Sequence, residues 1–242
     1  MGKRIDGRKN DEVREIKITR NYISHAPGSV FIEMGKTRIV CTATVEEKVP
    51  PFIRGKGTGW ITAEYDMIPR SAPQRIIRPQ VIGKINGRTH EIQRLIGRSF
   101  RAAVDLKKLG ERTIWIDCDV IEADGGTRTA SITGGFVALF DCLHSLVDKK
   151  IIEEMPITNF IAAISVGIVN GEVLLDLCFR EDSQAEVDMN VVMNSSGEFI
   201  EIQSTAEGNT FGKEIFLQML DKSAKAVGDI ISLQKKILSQ KI

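Results

Sequence analysis

The dipeptide Asn170-Gly171 stands between two apolar runs, 160–169 and 172–177, and restricts the fold more than any other feature of the chain. A two-residue type I′ turn needs positive φ at both central positions, which Asn and Gly adopt at least cost, so the flanking runs are expected to pair as an antiparallel hairpin. A second hairpin is expected for 187–193 and 198–203 across Asn194-Ser195-Ser196-Gly197. A third joins 30–32 to 38–45 through Gly35-Lys36. Helical spacing interrupts these strands. Segment 91–108 sets Ile92, Leu95, Ile96, Ser99 and Ala103 on one face, with Arg94, Arg98 and Arg101 on another. Segment 128–147 turns Ile132, Phe136, Leu139, Phe140, Leu143 and Val147 inward, and 213–238 does the same with Phe216, Leu220, Val227 and Ile231. Between them, 113–121 alternates as a strand. A strand-like run, 60–68, interrupts an insert, 48–87, punctuated by Pro50, Pro51, Gly55, Gly57, Gly59, Pro69, Pro73 and Pro79. Each half therefore reads as antiparallel strands followed by a helix, and the class is α+β.

Charge is balanced in total but not in place. The 242 residues carry 33 Lys and Arg against 32 Asp and Glu. Segment 54–101 holds eight Arg and two Lys against Glu64, Asp66 and Glu91, while 176–207 holds eight carboxylates against Arg180 alone. Guanidinium-rich sequence suits phosphate or polynucleotide, and carboxylates on an apolar skeleton suit a divalent metal. Pairing of the two segments with each other, or exposure to solvent, accounts for the same charges. No apolar run approaching ~20 residues is apparent, so no membrane span is expected. Met1 to Asp6 carry no apolar stretch, so no secretory leader is expected either. Cys41, Cys118, Cys142 and Cys178 are scattered, which predicts reduced core thiols in a cytoplasmic protein and no zinc site.

Three constellations have chemical potential. Asp124-Gly125-Gly126-Thr127-Arg128-Thr129 lies between a strand and a helix start, where backbone amides and Arg128 can hold an anion; a capped glycine turn is the alternative. Gly87-Arg88-Thr89 puts a cation at a helix N-terminus, which the dipole disfavours, so Arg88 needs an anionic partner, either a phosphate or Glu91. Glu181-Asp182-Ser183 followed by Glu186 and Asp188 can bring Asp182, in a loop, toward Asp188 on a strand. Two carboxylates with water suit Mg²⁺, and a solvated face on an edge hairpin is the alternative. His25, His90 and His144 are isolated, with His144 expected to be structural. The few aromatics make no stacking platform of the RRM or OB type.

Together the stretches resemble the RNase PH family of phosphorolytic tRNA nucleotidyltransferases. The resemblance rests on Gly59 to Tyr65, Gly87 to Ser99, Asp117 to Val120, Asp124 to Ser131, Glu181-Asp182-Ser183 and Ala185 to Asn190, in family order across nearly the whole chain. His90 and Glu122 depart from the pattern. The resemblance implies a single two-lobed domain, with lobes at about 1–150 and 151–242, assembled as a homohexamer that is a trimer of dimers. It implies a phosphate-dependent 3′–5′ exoribonuclease that trims tRNA precursors and other RNA 3′ ends and releases nucleoside diphosphates. Inorganic phosphate would be the co-substrate, held by Arg88, Gly126, Thr127 and Arg128. Asp182 and Asp188 would hold Mg²⁺ or act as the acid–base pair. Arg70, Arg75, Arg78, Arg94 and Arg98 are the candidates for gripping the RNA backbone. The other reading is a non-catalytic RNA-binding ring subunit of an exosome-like assembly.

Overall fold

The computed structural model describes residues 4–240 except 79, 80, 82, 84, 85 and 209, so Met1, Gly2, Lys3 and Pro79 of the sequence reading lie outside the described residues. Its first sheet contains β1 (Ile16–Arg20), β2 (Gly28–Met34), β3 (Thr37–Glu46), β4 (Trp60–Met67) and β5 (Thr113–Glu122), in the spatial order β1-β2-β3-β5-β4. Strand β1 escaped the sequence reading because its five residues, Ile16 to Arg20, carry only two apolar side chains, both half-buried. β4 runs parallel to β5, against the expectation of purely antiparallel pairing. Two helices carry the chain back between them, and a return of that kind is what parallel neighbours require.

Those helices are α1 (Gly87–Arg101) and α2 (Leu106–Leu109), where a single helix at 91–108 was expected. The start moves forward because Asn86 accepts a hydrogen bond from the Thr89 amide at 2.7 Å, a side-chain N-cap. The break follows from competition for backbone. Residues 103–105 exchange hydrogen bonds with 156–158, and Asp105 then caps α2 at the Lys107 amide. The buried face of α1 is nonetheless the expected one, with Ile92, Leu95, Ile96 and Ser99 all inside.

Helix α3 (Thr127–Asp148) packs against both β2 and β3 of the first sheet and β6 (Ile161–Val169) of the second. By length and composition it is apolar enough to cross a membrane, contrary to the sequence expectation, but most of it is buried inside the protein. Close packing uses its glycines: a Cβ on Gly134 would sit 2.7 Å from Ile32 Cγ2, and one on Gly135 2.9 Å from Phe100 Cζ. Phe140 and Val147 are only half-buried, and His144 is exposed and bonded to Asp148 one turn on rather than serving the interior.

The second sheet is antiparallel throughout, in the order β7 (Glu172–Leu175), β6, β8 (Val187–Asn194), β9 (Phe199–Ala206). Asn170 and Gly171 take φ of 51° and 74°, as a turn of the expected type demands. β8 is the inner strand of the edge hairpin expected there, paired with β6 on one side and with the edge strand β9 on the other. The closing helix α5 (Lys213–Leu238) covers β6, and its buried Gln234 donates to the carbonyls of Thr133 and Ile161, both at 3.0 Å.

On the outward side of the first sheet, register places Glu64 beside Asp117 and Asp66 beside Asp119. Burial raises the pKa values of Asp117, Glu64 and Asp119, and the charge of Asp117 adds to the rise at Glu64 and Asp119. A raised carboxylate costs native stability while ionised, and the cost fades as pH falls from above the raised value toward the ordinary one. Asp117→Asn should therefore raise Tm at pH 7 by about 1–2 °C, from relief of roughly 0.5 kcal/mol of like-charge opposition. Thermal denaturation should show that gain shrinking toward pH 4.

Candidate functional site

At the end of β5 the chain reverses into α3 through Ala123 to Gly126, with Gly125 and Gly126 at φ of 75° and 65°. The turn is pressed against residues 177–179: a Cβ on Gly125 would meet the Leu177 carbonyl oxygen at 2.5 Å and the Phe179 nitrogen at 2.9 Å. The Asp124 carboxylate also accepts from the Phe179 amide at 3.2 Å. Residues 179–182 form the short helix α4 (Phe179–Asp182), so Asp182 ends a helix rather than lying in a loop. Strand β8 brings Asp188 to the same place.

Arg88, Gly125, Gly126, Thr127, Arg128, Asp182 and Asp188 all line one cavity of about 310 Å³. The sequence candidates for anion and acid chemistry are thus neighbours, although they span a hundred residues. No side chain caps α3 at Gly126, which leaves its first amides without a side-chain acceptor. The Tyr65 hydroxyl donates to Thr127 Oγ1 at 2.8 Å, and burial pushes that phenol's pKa up, so it keeps its proton.

Burial raises the Asp182 pKa against the pull of Arg88, Arg128 and Arg14. Burial also raises that of Asp188, and the charge of Asp182 raises it further. Such a pair favours anything that supplies positive charge between them. No group of three or more His, Cys, Asp or Glu side chains suited to a metal occurs among the described residues. Two hard oxygen donors beside open space nevertheless fit Mg²⁺, which keeps several waters and takes few protein ligands.

Arg88 is exposed and, among the described residues, makes no ion pair with Glu91. Glu91 instead accepts from Gln203 at 2.9 Å, and Gln203 accepts from Arg128 Nη1 at 2.6 Å. Of the proposed RNA-gripping residues, Arg98 is tied to Glu201 by bonds of 2.9 and 2.6 Å, so here the basic and acidic segments do pair with each other. Arg70, Arg75, Arg78 and Arg94 are exposed and form no ion pair among the described residues.

Residues 12–143 match the first domain of the RNase PH 3′ exoribonuclease family, and residues 159–226 match its second domain. The chain belongs to this family. Solved structures of the same architecture include a chain of the Archaeoglobus fulgidus exosome with RNA bound to its active site. It has a TM-score of 0.81 and 23% identity, over 97% of this chain and 92% of that one. An archaeal exosome core chain gives 0.78 and 21% over 96% and 91%, and rice (Oryza sativa) Rrp46 gives 0.76 and 18% over 98% and 100%.

In this RNase PH-family protein the support behind the glycine turn comes from residues to which the sequence reading gave no role. Asp176, fully buried at φ 55°, accepts from the Arg14 amide, Nε and Nη2 at 2.8, 2.9 and 2.7 Å. Arg14 Nη1 donates in turn to the Asp124 carbonyl at 2.5 Å, and Nη2 donates to that of Gly125 at 3.4 Å. Arg8 adds a bond to Asp176 at 3.2 Å, and Arg4 grips Glu181 at 2.8 and 2.5 Å. The arginine–carboxylate pairs join residues more than 160 apart, and nothing local marks them. Asp176→Asn keeps the shape and tolerates positive φ but strands buried guanidinium charge. It should cost about 3–5 kcal/mol, read as a loss of roughly 10 °C in Tm. Gly125→Ala should also destabilise, because the new Cβ meets backbone atoms that cannot swing aside.

Proposed function

We propose that this chain is a phosphate-dependent 3′–5′ exoribonuclease that shortens RNA 3′ ends, tRNA precursors among them, and releases nucleoside diphosphates. The observation that carries the reading is the meeting of an uncapped glycine turn, two guanidinium groups and two carboxylates of raised pKa in one cavity. Transfer of a phosphoryl group needs positioning and charge neutralisation more than covalent help from the protein. Bringing inorganic phosphate against a phosphodiester sets anion against anion, and Arg88, Arg128 and the turn amides offset that repulsion.

A phosphate oxygen bonds to the phosphorus of the last internucleotide linkage, and the bond from that phosphorus to the 3′-oxygen breaks. The incoming phosphate stays on the departing nucleotide as its β-phosphate, and the shortened RNA gains a 3′-hydroxyl. Carboxyls held above their ordinary pKa are suited to delivering the proton that this oxygen takes up. Ionised instead, Asp182 and Asp188 would hold Mg²⁺, which would supply neutralisation of the oxygens in flight. Membership of a 3′ exoribonuclease family supports RNA as the polymer, and the likeness to an exosome chain with RNA bound to its active site points the same way. We further propose a homohexameric ring, a trimer of dimers, and a cytoplasmic setting in which the four free, buried cysteines stay reduced.

The deciding assay incubates a 3′-extended tRNA precursor with Mg²⁺, with and without inorganic phosphate. Shortening that requires phosphate and yields nucleoside diphosphates is expected; nucleoside monophosphates would mean that water is the nucleophile. RNA that is bound but intact would make the chain a non-catalytic ring subunit. Arg88→Ala should raise the KM for phosphate about ten- to a hundredfold, in line with the loss of a hydrogen bond to a charged group, while RNA affinity changes much less. Asp188→Asn should abolish turnover while native mass measurement finds the assembly intact.

A further inference from the structure

The cavity has a second wall that phosphate chemistry does not use. Its apolar lining is Met67, Ala72, Pro73, Ala123 and Phe179, while the polar Ser165 and Asn190 line the same cavity as the carboxylates. Phe179 is 51% exposed, so a face of its ring is open at the cavity it lines. Its backbone is held in place by the Asp124 carboxylate at 3.2 Å, so the ring projects from a fixed root. It opens α4, and Asp182 lies three residues later on the same helix, where side chains at i and i+3 are neighbours. A flat apolar surface therefore adjoins one of the two carboxylates.

A nucleotide has the same two-part character, with a charged phosphodiester at one end and an aromatic base at the other. With the terminal phosphodiester at the carboxylates, its base needs a dry surface close by. We propose that Phe179 is the stacking platform for the base of the 3′-terminal nucleotide, with Met67, Ala72 and Pro73 completing an apolar slot. The inference rests on the RNA 3′-end reading given above. These side chains offer no strong donor or acceptor to a base edge, so the slot holds any base without reading it, and sequence-tolerant trimming follows.

The test uses an oligoribonucleotide ending in 2-aminopurine, a base whose fluorescence is quenched by stacking, in buffer free of inorganic phosphate so that the RNA stays whole. Binding to the unaltered protein should quench the signal, and Phe179→Tyr should preserve the quench. Phe179→Ala should abolish it and, once phosphate is added, raise the KM for RNA on the order of tenfold or more while leaving the KM for phosphate unchanged. An unchanged quench and RNA KM in Phe179→Ala would overturn the proposal. So would equal losses toward RNA and phosphate, which would mark a general disturbance of the fold. If the unaltered protein fails to shorten RNA in phosphate, the functional reading falls on that result alone, while the quench still reports whether the ring stacks.

Discussion

Residues 177–179 pass so close to the β5–α3 turn that any side chain on Gly125 would collide with their backbone. The closeness brings a turn from the first sheet's side of the molecule against a helix that follows the second sheet's first hairpin. Everything of chemical interest depends on that contact, because the turn carries the anion-binding candidates and the helix carries Asp182. The absence of a side chain at Gly125 is the condition for it, and left-handed φ at both Gly125 and Gly126 is the conformational cost that glycine keeps small.

What the sequence made legible is what local physics decides. The Asn170-Gly171 hairpin, the buried faces of α1 and α3, and the span of α5 follow from turn chemistry and helical spacing, each settled within a few residues. The glycine turn and the acidic segment stood out for the same reason, since their residue types are unusual for the elements beside them. The elements that escaped are those settled at a distance. β1 is recognisable as a strand only by its pairing with β2, and α1 stops at Arg101 because residues 156–158 capture the backbone that follows.

The site divides along the same line. Arg88, Arg128, Asp182 and Asp188 stood out by type and position, but the groups that hold this apparatus did not. Tyr65 is an ordinary strand residue until its hydroxyl meets Thr127, and Gln203 looks like any polar strand residue until it bridges Arg128 and Glu91. Arg98 shows the converse: its spacing and charge suggested RNA, yet Glu201 across the fold occupies it. Charge counts along a sequence reveal supply but not which charges are already spoken for.

The clasp made by Arg4, Arg8 and Arg14 bears on the order in which the molecule matures. Arg4 reaches Glu181 across 177 positions, and Arg14 reaches Asp176 across 162, so these contacts close very long loops. Contacts of that span are reached slowly, because the entropy of a long open chain must be overcome before they contribute. During synthesis Arg4 and Arg14 remain without their carboxylates until residues 176–181 have been made, and the glycine turn remains without its backing for as long. A nascent chain can thus hold a folded first sheet while the cavity between the glycine turn and Asp182 is still unbuilt.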